Sequence, residues 1–386
     1  MNTAKFRTKT DYISRNNGEI KGTWEIGLDI GYSAVKLFSP NCVASFPSYC
    51  RKISKDFSFI SSAPKESIIY RDLETGEMYL VGKVAQDQIP TGDTTDSEAA
   101  LYGRDRYADP MFRVNARAGL GIAMMNTAKT MPMFDKKDKV VIQTGLPEKY
   151  MSDADDLTDA LSGRHKFALK VGSRNWLEYD INIAPSDIYI MSQPRGTLFS
   201  VCIGKNGGFV EEAKKYLNSS VLVFDPGFGT LDIFPIRKGA VGEGETYSDL
   251  GMKRVLQETS TLIRDKYKVD ISVPAMQTAL ETGTVRKFDK KLFQTSEYAF
   301  GELLEQAVFQ VADEALSRMV NAINIADYNY LIVTGGTGAA WSEYIYQKLN
   351  SPYLTVVSGN KTDPSLDQIY SNVRGYYLYR YNKLAV

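Results

Sequence analysis

GLDIGYSAVK (27–36) reads as the end of an apolar strand, a glycine turn and the start of a second strand. Trp24, Ile26 and Leu28 lead into Asp29-Ile30-Gly31, and Val35, Leu37 and Phe38 follow. The pattern returns 196 positions later as FDPGFGTLDI (224–233), where the apolar run Val221–Phe224 meets Asp225 and Gly227 and a strand resumes over Leu231–Ile236. One Asp-x-Gly turn is ordinarily a plain turn. Two with matching flanks, one domain length apart, predict two similar halves that aim both hairpins at one cleft.

Such a turn points successive backbone N–H groups at one spot, and glycine permits both the tight geometry and the close approach of an anion. Tyr32, Ser33 and Ala34 supply the amides of the first nest, with Gly31 at its turn; Phe228, Gly229 and Thr230 supply the second, with Gly227 at its turn. Two nests facing each other are a clamp for a polyphosphate, and Lys36 adds a point charge. Asp29 and Asp225 sit at the strand ends, where Mg²⁺ needs only one or two carboxylates beside phosphate oxygens and its own waters.

A third element is LIVTGGT (331–337), an apolar strand ending in Gly335-Gly336-Thr337 ahead of a helix expected from about Ala339. Its glycines let backbone lie flat against a purine or ribose, with a helix N-terminus near phosphate. It is neither a GxGxxG fingerprint nor a P-loop. The fourth is Gln193, in the turn that closes the strand Ile188–Met191. A neutral amide is no strong base, but it orients a water for in-line attack on a γ-phosphate, which predicts slow hydrolysis that acts as a timer.

The remaining chain alternates strands and helices, hence α/β. Helices are expected over 109–131, 153–161, 248–267 and 301–324, with a last one from Asp367 into a tyrosine-rich end that packs on the first domain. Composition narrows the function further. The 386 residues carry 46 Lys+Arg against 46 Asp+Glu, so direct nucleic-acid binding by a basic stripe is not expected. One histidine, His165, excludes multi-His metal sites, and it is read as a surface residue without a role. Cys42, Cys50 and Cys202 form no CxxC pair; Cys42 and Cys50 are expected as packed thiols, and the low odd count fits a reducing cytoplasm. No membrane span is expected. Residues 1–21 are polar and aperiodic and read as a mobile arm.

In this order the elements resemble the actin-like ATPase superfamily of actin, sugar kinases and chaperone ATPases. The first phosphate motif is GLDIGYSAVK, the connecting motif VVIQTGLP (140–147), the second phosphate motif FDPGFGTLDI and the adenosine motif LIVTGGTG (331–338). TGLP (144–147), YLVGKVA (79–85) and NVRGYYL (372–378) resemble the plasmid-segregation actins of the ParM/StbA group. The resemblance implies a two-domain actin-like fold with duplicated βββαβα halves. Domain I would be 22–190 with 360–386, and domain II 191–359.

It also implies a cytoplasmic ATPase that polymerises on binding Mg-ATP, or GTP in its place, and disassembles after hydrolysis, joined to plasmid DNA by a separate DNA-binding adaptor. Asp29 and Asp225 would hold hydrated Mg²⁺ and serve catalysis with Gln193. Lys36 would touch the β- or γ-phosphate, Asp232 would help position water, and Gly335, Gly336 and Thr337 would flank the nucleotide. Lys253, Arg254 and Gln257 are candidates for the base. Two features depart from the group: D-P-G-F-G-T replaces the usual D-x-G-G-x-T, so the Phe228 ring must point away from phosphate, and the polar leader is atypical. A small-molecule kinase on the same fold is the alternative; it would need a catalytic Asp where this chain has Gln193. A chaperone-type module would need an appended domain.

Overall fold

In the computed structural model, which describes residues 2–89, 104–126 and 128–385, the repeat seen in the sequence becomes a repeat of sheet topology. Thr23–Ile30 is flanked antiparallel by Ala34–Phe38 and parallel by Lys139–Leu146, and Ile188–Ser192 extends that sheet in parallel. In the second half Ser220–Pro226 is flanked antiparallel by Leu231–Arg237 and parallel by Tyr330–Val333, and Thr355–Ser358 extends that sheet in parallel. The strands at each centre are buried on both faces, which is why they read as unbroken apolar runs. Asp29 lies across from Lys36, and Asp225 across from Asp232.

A smaller antiparallel sheet joins the first half, in the order Leu177–Ile183, Gly163–Val171, Ile68–Asp72, Met78–Val81, Cys50–Ile53. The second half carries a hairpin, Thr284–Asp289 with Gln294–Ala299. The helix expected over 109–131 is Pro110–Ala123, started by Asp109, whose side chain accepts from the Met111 N–H. Those expected over 153–161, 248–267 and 301–324 are Ala154–Leu161, Met252–Tyr267 and Gly301–Ala322. The helix expected near Ala339 begins four residues earlier, at Gly335. The last helix, Ser371–Ala385, follows a 3-10 turn and packs on Thr23–Ile30 and on the Gln193–Cys202 helix, with Tyr376 and Tyr377 buried.

Two expectations need correction. Residues 2–20 are not a mobile solvated arm. A 3-10 turn, Thr3–Phe6, buries Phe6 in the core of the second half. Asp11–Ser14 then adds an edge strand to the first sheet beside Cys42–Pro47. The composition of the segment is polar because its work is done by backbone pairing and salt links, neither of which needs an apolar period.

His165 is also not a surface residue. Only 3% of it is exposed. Its Nδ1 accepts from Arg117 Nε (3.3 Å) and its Nε2 faces the Leu161 carbonyl (2.9 Å). Burial, with Arg117 and Arg113 beside it, pushes its pKa down to about 4. The folded imidazole therefore stays neutral while the unfolded one charges below about 6.5, so the stability it supports is lost as pH falls through that window. We expect His165→Gln, which cannot titrate, to lose roughly 2 kcal/mol less than the parent between pH 6.5 and 4.5 in urea unfolding. Equal losses in the two proteins would remove histidine from the acid sensitivity. Cys42, Cys50 and Cys202 are buried thiols, and burial raises each above its ordinary pKa, which makes them poor nucleophiles.

Candidate nucleotide-binding cleft

The two hairpins close in the same way. The Gly31 N–H donates to the Ala34 carbonyl (3.0 Å), and the Gly227 N–H donates to the Thr230 carbonyl (2.7 Å). Each bond closes a turn whose next three residues, Tyr32–Ala34 or Phe228–Thr230, supply the nest amides. The turns approach each other tip to tip: a Cβ on Gly229 would stand 3.2 Å from the Tyr32 ring. The Arg106 guanidinium lies 4.6 Å over that ring and holds it in place.

The adenosine-motif glycines come against the second hairpin. Gly335 has φ +77, a left-handed conformation, and a Cβ there would lie 2.5 Å from Asp225 Oδ1 and 2.8 Å from the Pro226 carbonyl. Glycine is required at this point for both reasons. Thr337 Oγ1 donates to the Gly227 carbonyl (2.7 Å), tying the Gly335–Leu349 helix start to the turn.

Charge is concentrated between the hairpins. Lys36 Nζ pairs with Asp29 Oδ2 at 3.1 Å. Burial disfavours the Lys36 charge, but the carboxylates of Asp29 and Asp225 outweigh it and raise its pKa, so the ammonium persists. Asp225 Oδ2 accepts from Asn372 Nδ2 (3.1 Å), yet burial still leaves its pKa above the ordinary carboxyl value. Asp232 accepts from Thr230 Oγ1 (3.0 Å); burial first, and the Asp225 charge among other groups, push it up to about 7. The cleft thus holds more carboxylate than its own cation balances.

These groups line one cavity of about 440 Å³ between the halves. Asp29, Gly31, Tyr32, Ser33, Ala34 and Lys36 enter it from the first half. Gly227, Phe228, Gly229, Thr230, Asp225 and Asp232 enter it from the second, with Gly335, Gly336 and Thr337 beside them. Phe228 also packs on the second core. Gln193 reaches the cavity as the first residue of the Gln193–Cys202 helix rather than from a loop, with Pro194 in the first turn where its missing N–H costs nothing.

The base candidates fare differently. From the Met252–Tyr267 helix it is Met252 that lines the cavity, with Ala339, Ala340 and Ile369; Lys253, Arg254 and Gln257 do not. Arg254 is instead paired with Glu258 (2.7 Å) along its own helix.

Sequence reasoning overlooked three contributors. Asn372, which holds Asp225, lies in the NVRGYYL stretch, where it was noted only as a family likeness. Arg106 follows no motif. Lys5–Lys9 line the cavity from a segment set aside for its composition.

Magnesium fits this cleft only in hydrated form. Among the described residues no three His, Cys, Asp or Glu side chains converge as a metal site. One or two carboxylates facing bound phosphates suffice for Mg²⁺, and Asp29 and Asp225 supply them with a surplus of negative charge. Among the described residues, too, no helix is long and apolar enough to cross a membrane.

Residues 27–196 match the family model described as actin-like proteins N terminal domain. No curated protein matches the sequence. Solved structures do. A ParM filament from Clostridium botulinum, described as 15-stranded, shares 18% identity at a TM-score of 0.68, covering 92% of this chain and 98% of that one. An archaeal actin homologue in complex with ADP shares 16% identity at 0.64, covering 93% and 99%. The actin-like protein Alp7A shares 14% identity at 0.63, covering 94% and 96%. At these identities the likeness is one of fold. Residues 27–196 are thus similar to the actin-like N-terminal domain, and the chain along nearly its whole length has the two-domain actin-like fold.

Proposed function

We propose that this chain is a filament-forming actin-like ATPase. In this reading Mg-ATP, or Mg-GTP in its place, binds in the cleft, the nucleotide-bound form polymerises with copies of itself, and hydrolysis loosens the filament. One observation carries the proposal: two hairpins closed by equivalent hydrogen bonds bring Asp29, Lys36 and Asp225 to one cavity. That arrangement suits a polyphosphate held from both sides.

The roles follow from the chemistry of each group. The amides of Tyr32, Ser33 and Ala34, and those of Phe228, Gly229 and Thr230, hold phosphate oxygens. Lys36 neutralises them. Mg²⁺, held through water by Asp29 and Asp225, would supply charge neutralisation at the transferring phosphate. Gln193 orients the attacking water. Asp232, near pKa 7, helps position that water in this reading, and its proton affinity suits sharing the water's proton. Likeness to ParM extends the proposal to plasmid segregation, with a separate DNA-binding adaptor as the link to DNA and no direct DNA contact by this chain.

High-speed sedimentation with Mg-ATP, Mg-GTP, Mg-ADP and no nucleotide, beside a phosphate-release assay, tests it. Pelleting that needs a triphosphate and fades as phosphate appears is expected. Gln193→Ala should pellet as well as the parent and stay assembled, with phosphate release slowed by about 10²-fold, the usual size of one lost positioning group. Absence of pellet in every condition, with turnover appearing only on addition of a sugar or an acid, would replace the filament reading by a kinase.

A further inference from the structure

The segment before the first hairpin runs along the wall of the cleft, fastened to both halves. On the second half, Thr3 Oγ1 donates to the Leu280 carbonyl (2.7 Å), Phe6 is buried in the core, and the Thr8 N–H donates to Gln277 Oε1 (3.0 Å). On the first half, Asp11–Ser14 pairs along Cys42–Pro47, and Ser45 Oγ donates to the Lys9 carbonyl (3.1 Å). Between these anchors the chain forms part of the cavity wall, facing Asp367 and Ile369.

Arg7 is the link in the middle. One end of its guanidinium pairs with Asp87 Oδ1 (2.7 Å), just past the short Lys83–Gln86 helix of the first half. The other end pairs with Glu281 on the Val273–Thr282 helix of the second half. Lys83 sits between the same two carboxylates, 2.9 Å from Asp87 and 3.7 Å from Glu281. The two helices meet at this point, and Arg7, which also lines the cavity, pairs with a carboxylate beside or on each of them.

We infer that residues 3–14 are a strap that limits opening of the cleft and sets how long nucleotide stays bound. The inference rests on the nucleotide reading above. Chain length gives the limit. From Phe6 in one half to Asp11 in the other there are five residue steps, about 17 Å at full extension. The halves cannot part further unless the Phe6 anchor or the edge strand lets go. The ion pairs are the weaker part: the Glu281 side chain is 54% exposed and that of Asp87 29%, and pairs open to solvent contribute little singly. Arg7 should therefore open often, while Phe6 and the strand hold the tether.

Displacement of a fluorescent ADP by excess Mg-ADP, followed on the full chain, tests the strap. Arg7→Ala, which removes the pairs to both Asp87 and Glu281, is expected to raise the dissociation rate about fivefold, a factor in the range of such partly exposed pairs. Phe6→Asp should raise it more. A crosslink should do the opposite. A Cβ on Gly283 would lie 3.7 Å from the Thr3 Cβ, within disulfide range. With Thr3→Cys and Gly283→Cys together, added oxidant should slow release and reductant should restore it. Strain at Gly283 is common to both redox states and cancels in that comparison. Normal ADP binding with release unchanged in Arg7→Ala, in Phe6→Asp and on crosslinking would overturn the strap alone. Failure of the parent to bind the probe would overturn the nucleotide reading, and the strap with it.

Discussion

Asp225→Ala is expected to abolish triphosphate-dependent pelleting and to cut phosphate release by about 10²–10³-fold, the range seen when one preorganised electrostatic group is removed. Asp225 sits where every part of the cleft meets. Its carboxylate faces Lys36, accepts from Asn372, and lies so close to Gly335 that no side chain fits between them. Asp225→Asn keeps the shape and removes the charge, so it should lose the same activity.

The charge-free variant should not weaken the nucleotide-free fold, which separates this loss from unfolding. An acid whose folded pKa is raised contributes stability that is present at low pH and is lost as pH rises through the folded value. Asp232, at about 7 against an ordinary 3.8, loses it between about pH 4 and 7, and Asp225 adds a loss of the same sign. Part of the Asp232 shift comes from the Asp225 charge. The parent should therefore lose roughly 2.5 kcal/mol from Asp232 between pH 5 and 8, with Asp225 acting in the same direction, and Asp225→Asn should lose clearly less. A urea midpoint for Asp225→Asn well below the parent at pH 8 would show that the carboxylate holds the fold rather than the ligand.

The second large effect is expected far from any charge. Gly375→Ala should destabilise the chain by about 3 kcal/mol or more, because its new methyl group overpacks a contact between two backbones. A Cβ at Gly375 would stand 1.8 Å from the Gly196 carbonyl oxygen, and one at Gly196 would stand 2.4 Å from the Tyr376 ring. Backbone cannot swing aside as a side chain does, so the Gln193–Cys202 and Ser371–Ala385 helices must separate. Those helices carry Gln193 and Asn372, and the buried Thr197–Asn372 hydrogen bond joins them. Any Gly375→Ala protein that still folds should consequently hydrolyse nucleotide poorly. Gly208→Ala is the control: its Cβ would meet only Asn206, at 3.6 Å or more, and it should stay within about 0.5 kcal/mol of the parent. Equal urea midpoints for Gly375→Ala and Gly208→Ala would contradict the packing argument.

The matching geometry of the two turns is legible in the sequence, because a strand–Asp–x–Gly–strand hairpin is a local object. Its residues are neighbours in the chain, and its turn chemistry is set by glycine and by burial on either side. Pro194 after Gln193 reads in the sequence as a turn, whereas in the structure Gln193 starts a helix, where proline is equally at home in the first turn. His165 misled because its sequence neighbours, Arg164 and Lys166, are polar. In a strand those neighbours face away from it, and its own surroundings come from Arg117 and Leu161 on other elements.

Sequence by itself determined the α/β class, the duplication, and the identity of the two hairpins that line the cleft, since each rests on patterns within about ten residues. Tertiary structure alone decided what those groups meet: Asn372 beneath Asp225, Arg106 over Tyr32, Met252 rather than Lys253 in the cavity. It also turned a polar leader into an edge strand and a strap. Backbone hydrogen bonds and single salt links leave no period in a sequence, and their partners here are distant: Lys9 and Asp11 meet Ser45 more than thirty positions on, Thr3 meets Leu280 at 277 positions, and Arg7 finds Glu281 only once the two halves have folded.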